Sequence, residues 1–291
     1  MDKHALRIEV FESTLTLLRQ GWYFDAHGKK VALPAVEDVM AAAKMYREKF
    51  DVASLPSAGY GTEVRVENDD CVLVAKRLID AGYNPAMLNL ADLYTPGGLV
   101  EYGSGAQEEN LCRRSNLVLS LYQFSDARVR QYPDLGLVSR KEQYPMDERF
   151  GGVYSGIVTF FRGPESEGSM LEDRVYNIPV ISVAALSGPR IGADGLMMPR
   201  EAEITLEKMR TIFRIGVDQG HDSLVLSAMG CGAFANPPAH IARLFHQVVD
   251  EPEFKRRFRL IDFAILDGYR TGLRHNPEGN LLPFQREFGV L

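Results

Sequence analysis

Residues 223–249 read SLVLSAMGCGAFANPPAHIARLFHQVV. Ser223–Ala228 is a short apolar run of strand length, and Pro238–Val249 reads as a helix with proline near its first turn. Between them lies a glycine turn. A buried strand, a tight glycine connection and a helix form the repeating unit of an α/β fold whose sheet is covered by helices on both faces.

The same alternation recurs outward from this stretch. Thr62–Val66 reads as a strand, Cys71–Ala81 as a helix and Met87–Ala91 as a strand. Gln107–Tyr122 reads as one helix, Val175–Ala185 as one buried strand, Glu203–Gln219 as a helix ending at Gly220, and Leu260–Leu266 as the last strand. Upstream, residues 4–20 have helical spacing, Trp22–Phe24 and Lys30–Leu33 flank a hairpin turn, and 36–50 reads as a second helix. Residues 124–174, with Tyr132-Pro133, Tyr144-Pro145, Gly151-Gly152 and Gly163-Pro164, read as long loops with short strands. The expected organisation is an N-terminal helical extension over residues 1–60 and an α/β domain over 61–291, its central sheet mixed.

The chain has 291 residues, 45% of them hydrophobic, and a formal net charge of −6. That is enough apolar material for a sizeable core. An acidic surface argues against a broad phosphate-contacting face for nucleic acid, so no DNA partner is expected. It leaves room for a local anion site made of backbone amides. The three cysteines, Cys71, Cys112 and Cys231, have no metal-ligand spacing and fit a reducing compartment as small buried side chains. No run approaches the roughly eighteen apolar residues of a membrane helix, and residues 1–20 carry charges where a signal peptide is apolar. A cytoplasmic location is the expectation.

Ligands of such sheets bind at loops after strand C-terminal ends, and two loops carry chemistry there. The first runs from Asp92 through Pro96-Gly97-Gly98-Leu99 and Gly103-Ser104-Gly105-Ala106 to Gln107-Glu108-Glu109. Its glycines let the backbone approach a ligand. Its paired acids open a helix, where complementing the dipole is a sufficient reason for them on spacing alone. The second is Met229-Gly230-Cys231-Gly232-Ala233-Phe234. A Gly-x-Gly turn before a helix offers amides to an anion, or is merely a tight connection. It lacks the lysine of a P-loop and the full dinucleotide fingerprint.

Together these residues resemble the microbial-type poly(ADP-ribose) glycohydrolases of the macrodomain superfamily, whose signature is three glycines, a short spacer and Gln-Glu-Glu. Here Gly97-Gly98-Leu99 precedes residues 100–106 and Gln107-Glu108-Glu109. Glu63–Ala81, Tyr154-Ser155-Gly156-Ile157-Val158 with Phe161-Arg162, Val180–Ala185, Gly220-His221 through Phe234, and Phe263–Asp267 are similar to further family segments, so the resemblance spans about 60–290. It implies a three-layer macrodomain-like α/β/α fold and a hydrolase of the ribose glycosidic bond, acting on poly(ADP-ribose) or ADP-ribosylated protein without cofactor or metal.

The resemblance makes Glu109 the general acid, aided by burial or a like-charged neighbour. Glu108 holds a ribose hydroxyl. The two side chains diverge by about 100° on a helix, so they are not the facing pair of ordinary glycosidases. Gly97 and Gly98 are implied against the distal ribose and diphosphate, Asn89 and Asp92 at the ribose or as supports of the loop, and Gln107 and Leu99 among the substrate-binding residues. Gly230, Cys231, Gly232, Ala233 and Phe234 are implied on the diphosphate, with Tyr154 toward the adenine. The third glycine of the signature is Leu99 here. A leucine fills space and disfavours φ > 0, so the loop is expected to sit differently. Removal of single ADP-ribose units and non-catalytic ADP-ribose recognition are the other readings. An unrelated phosphotransfer enzyme would need a lysine or metal-holding acid beside Gly230–Phe234. Oligomeric state is not legible.

Overall fold

The structure, a computed structural model, describes residues 2–268 and 271–290. Its elements are α1 (Lys3–Gln20), β1 (Trp22–Phe24), β2 (Lys30–Ala32), α2 (Val36–Ala41), β3 (Ala43–Tyr46), β4 (Glu63–Glu67), α3 (Cys71–Asp80), β5 (Pro85–Ala91), α4 (Gln107–Arg114), α5 (Leu117–Tyr122), α6 (Asp126–Gln131), β6 (Gly152–Ser155), β7 (Thr159–Arg162), β8 (Leu171–Asn177), β9 (Val180–Ala184), α7 (Pro199–Asp218), β10 (Ser223–Leu226), α8 (Pro238–Asp250), β11 (Leu260–Ala264) and α9 (Leu281–Phe288). Seven strands form a mixed sheet in the order β3-β6-β9-β5-β10-β11-β4. The expected mixed, macrodomain-like α/β sheet is the one observed.

Contacts cluster the chain into two compact units. The first comprises residues up to Tyr46, Ala91–Met146 and Val153–Ser182; the second comprises Arg47–Leu90, Asp147–Gly152 and Val183 onward.

In the second unit β5, β10, β11 and β4 run parallel. β10 and β11 are buried along their whole length, as strands covered on both faces require. β4 closes the sheet and alternates, with Glu63 and Arg65 exposed, which blunts a free edge. α3 starts at Asp70, whose carboxylate accepts the N–H groups of Val72 and Leu73 at 2.9 and 3.2 Å. α7 lies so close to β10 that a Cβ on Gly216 would stand 2.9 Å from Leu224. α8 and α9 bury Phe245, Phe263 and Phe284; the Phe263 ring lies 5.2 Å from each of the other two.

In the first unit β6 pairs antiparallel with β9, and β7 with β8 in a separate two-stranded sheet. α1 is held by buried polar contacts. Thr14 donates to the Arg113 carbonyl at 2.6 Å, and Arg162 donates to the Thr14 and Ser13 hydroxyls at 3.0 and 2.8 Å.

Four readings of the sequence change. The helix expected over 36–50 ends at Ala41, and β3 follows. Its segment joins the sheet edge, and Ala42 accepts the Gly156 N–H at 2.9 Å. The helix over 107–122 breaks at Ser115-Asn116. Ser115 is extended and bridges to Phe160, while Asn116 Oδ1 accepts the Thr159 N–H at 2.7 Å. Short polar side chains compete with the helix in this way. The strand over 175–185 is two strands parted at Ile178-Pro179, because proline donates nothing to a ladder. α7 begins at Pro199 rather than Glu203, with proline in its favoured first position. α9 was not foreseen. All three cysteines are free and buried. Among the described residues no helix is long and apolar enough to cross a membrane.

Candidate active site

β5 delivers the chain to Asp92, which starts a turn by accepting the N–H groups of Tyr94 and Thr95 at 2.8 and 2.7 Å. Gly97 and Gly98 follow with φ of 77° and 57°, a region side chains disfavour. At Gly98 space matters as well. A Cβ there would stand 2.5 Å from Glu109 Oε1. Leu99 has φ −105° and is 55% exposed. Its backbone is therefore ordinary for an L-residue.

α4 then carries both glutamates in its first turn, 2% and 6% exposed. Neither serves only as a dipole partner. Glu108 Oε2 accepts the Asp92 N–H at 2.7 Å, and its Oε1 accepts the Gly97 N–H at 3.2 Å. Glu109 Oε1 accepts the Leu99 N–H at 3.0 Å. Glu109 Oε2 is buried with no hydrogen-bond partner among the described residues. The loop thus wraps the two carboxylates and leaves one oxygen of one of them uncommitted.

Several supports were not found from sequence. Arg128 of α6 donates to the Gly98 carbonyl at 3.4 Å and pairs with Glu101 at 2.6 Å. Tyr132 donates to the same Glu101. Arg7 of α1 pairs with Glu165 through two nitrogens at 2.7 and 2.8 Å, and its guanidinium fills the space a Cβ on Gly105 would need. Arg113 donates to the Ser104 carbonyl at 2.7 Å. Burial, then the charges of Glu108 and Glu109, push the Cys112 thiol well up. Burial, then Glu108, does the same for the Tyr144 phenol. Both groups stay neutral beside the acids.

The second loop, in the other unit, has the opposite bonding. Its carbonyls are satisfied from within. Gly230 O accepts from Asn236 N–H and Nδ2, Gly232 O from Ala235 N–H, Phe234 O from Gly188 N–H and Asn236 Nδ2, and Cys231 O from His275 and Asn276. The N–H groups of Gly232, Ala233 and Phe234 have no partner among the described residues. These three residues are exposed or half-buried. Three neighbouring amides are therefore left available to an acceptor from outside the loop. Gly230 permits the turn with φ 73°, and a Cβ there would collide with Asn236 and Ala185.

The remaining expected residues lie on β5, α4 and β6. Asn89 is fully buried on β5, and Gln107 is half-buried at the start of α4. Tyr154 sits on β6 opposite Ile181, with burial pushing its phenol up to about 12.

A profile of the family described as microbial-type PARG, catalytic domain, matches residues 12–163. A search of curated proteins finds no match. Among solved structures, the poly(ADP-ribose) glycohydrolase of Thermomonospora curvata is 26% identical with a TM-score of 0.75, over 97% of this chain and 98% of that one. The same protein bound to the inhibitor ADP-HPD is 27% identical with a TM-score of 0.75, over 96% and 98%. The Deinococcus radiodurans enzyme in complex with ADP-ribose is 25% identical with a TM-score of 0.66, over 90% and 100%. With more than half its length matched by the family profile, the chain belongs to the microbial-type poly(ADP-ribose) glycohydrolases, which are glycoside hydrolases.

Proposed function

We propose that this chain cleaves the glycosidic bond of poly(ADP-ribose), with Glu109 as general acid and Gly232-Ala233-Phe234 as the diphosphate site. The observation that carries the reading is the division of labour between the two carboxylates. Both oxygens of Glu108 already accept backbone N–H groups, whereas Glu109 Oε2 accepts none. Glu109 is the group free to hand a proton to the leaving ribose oxygen as the anomeric carbon gains oxocarbenium character. The resulting carboxylate then takes a proton from the water that completes hydrolysis. Glu108 fixes the loop and retains lone pairs for a ribose hydroxyl.

In this reading Gly97 and Gly98 pack against the distal ribose and diphosphate, Asn89 and Asp92 touch the ribose or hold the loop, and Gln107 and Leu99 complete the substrate-binding set. Gly230 and Cys231 shape the diphosphate loop, Phe234 packs on the ribose, and Tyr154 lines the adenine. Residues 1–60, proposed as an extension of a catalytic domain over 61–291, contribute through Arg7. The ordinary backbone at Leu99 favours polymer cleavage over loss of that activity. Support also comes from the ADP-ribose and ADP-HPD held by the relatives. Free, buried cysteines fit a reducing, cytoplasmic compartment.

The test is release of ADP-ribose from poly- and mono(ADP-ribosyl)ated protein by wild type and Glu109→Gln. Release from polymer that is lost in the variant is expected. Release only from the mono-modified protein would replace this reading with mono-ADP-ribosyl hydrolysis, and binding without release would make the chain a reader.

A further inference from the structure

The peptide joining Cys231 to Gly232 is held from behind. His275 Nε2 lies 2.8 Å and Asn276 Nδ2 3.2 Å from the Cys231 carbonyl oxygen. A carbonyl only accepts, so His275 carries its proton on Nε2. The peptide is trans, which sets its C=O and the Gly232 N–H on opposite sides. Two donors drawing the oxygen one way therefore turn the Gly232 N–H the other way. A glycine on the far side of a peptide makes the flipped orientation cheap, because no Cβ opposes it. A Cβ on Gly232 would meet nothing within 4 Å, so crowding does not select the observed orientation. The clamp has to supply that selection.

The clamp is itself anchored. Asn276 is 1% exposed, accepts the Leu273 N–H at 3.0 Å and donates to Asn280 Oδ1 at 2.9 Å. Asp267, in the turn after β11, accepts the Asn280 N–H at 3.0 Å. Asn276 is thus tied through Asn280 to Asp267, and with His275 it presents two donors to a single oxygen.

We infer that His275 and Asn276 are positioning residues for diphosphate binding: they lock the Cys231–Gly232 peptide so that the Gly232 N–H faces the anion. This rests on the reading of Gly230–Phe234 as the diphosphate site. Flipped, the same peptide would present a carbonyl oxygen to a phosphate, and its repulsion would replace a hydrogen bond.

The experiment uses the full chain, labelled with 15N-glycine, titrated separately with ADP-ribose and with inorganic pyrophosphate. Wild type, His275→Phe and His275→Gln are compared, since phenylalanine keeps a ring without the donor and glutamine restores an N–H. His275 is half-buried, and melting curves check that each variant folds. The expected result is a Gly232 amide shift on binding in wild type and His275→Gln. His275→Phe should show a diminished shift, affinity weakened roughly tenfold for both ligands and a raised KM at unchanged kcat. Wild-type affinity and an unchanged Gly232 shift in folded His275→Phe would overturn the inference. If wild type binds pyrophosphate at Gly232 but not ADP-ribose, the substrate reading fails alone and the pyrophosphate series decides the clamp. If it binds neither, both fall together.

Discussion

Two glycine-rich connections between a strand and a helix use their backbones in opposite ways. In the loop from Asp92 to Gln107, the N–H groups of Asp92, Gly97 and Leu99 point inward to carboxylates of the protein itself. In the loop from Gly230 to Asn236, the carbonyls are bonded inward and the N–H groups of Gly232, Ala233 and Phe234 are left over. The first arrangement immobilises two acids, and the second offers dipoles to an anion. Glycine content alone does not tell a cage from a nest. What separates them is where the carbonyls go, and that depends on side chains distant in sequence.

The comparison is open to attack at its strongest point first. Glu109→Gln should lower turnover on polymer by about 10²–10⁴-fold. Its ADP-ribose affinity, measured by calorimetry, should stay near wild type, because glutamine keeps the shape of the side chain and can still accept the Leu99 N–H. Loss of both would erase the distinction. Gly98→Ala comes next. A methyl group 2.5 Å from Glu109 Oε1, on a backbone with φ 57°, must move the acid. A displacement of this kind should cost turnover about a hundredfold, and a fall in kcat much larger than any fall in ADP-ribose affinity would place the effect in the cage.

Glu108→Gln should act on stability more than on binding. An amide nitrogen would face a backbone N–H where a carboxylate oxygen now accepts one, leaving a buried donor unsatisfied at about 1–3 kcal/mol. A lower melting temperature is the expected outcome, with the ADP-ribose isotherm weakened only by the loss of one acceptor for the ribose hydroxyl. The smallest effect concerns the strand leading into the clamp. Burial, and then Glu67, push the Asp262 carboxyl up to about 7. A folded pKa above the unfolded one means the native state holds the extra proton, so stability falls as pH rises from the ordinary carboxylate range toward 7 and levels off beyond. Asp262→Asn should flatten that slope in thermal melts. An unchanged slope would remove Asp262 from the account.

The parts legible in the sequence were those whose cause is local. The strand, glycine turn and proline-led helix at 223–249 follow from short-range preferences, and so does the placing of two acids at the start of α4. The helix break at Ser115-Asn116 was not legible, because its partners are Phe160 and Thr159, on a strand far along the chain. β3 was read as helix because a short apolar run gains strand character only from a neighbour in the sheet. Arg7, Arg128, His275 and Asn276 escaped for the same reason. Each acts on a loop backbone remote in sequence, and a guanidinium or imidazole with no motif around it gives no signal of the carbonyl it will meet.

The anion site proposed at Gly232-Ala233-Phe234 is made of neutral dipoles, set in a protein of formal net charge −6. Its attraction for a diphosphate is short-ranged, whereas the repulsion from the whole surface reaches out to about a Debye length, roughly 8 Å at physiological salt. Ionic strength therefore works in an unusual direction for a protein that captures a polyanion. Added salt screens the repulsion before it touches the bonds, so it speeds the encounter with polymer instead of slowing it, and the half-saturating concentration does not rise where a cationic groove would lose its ligand.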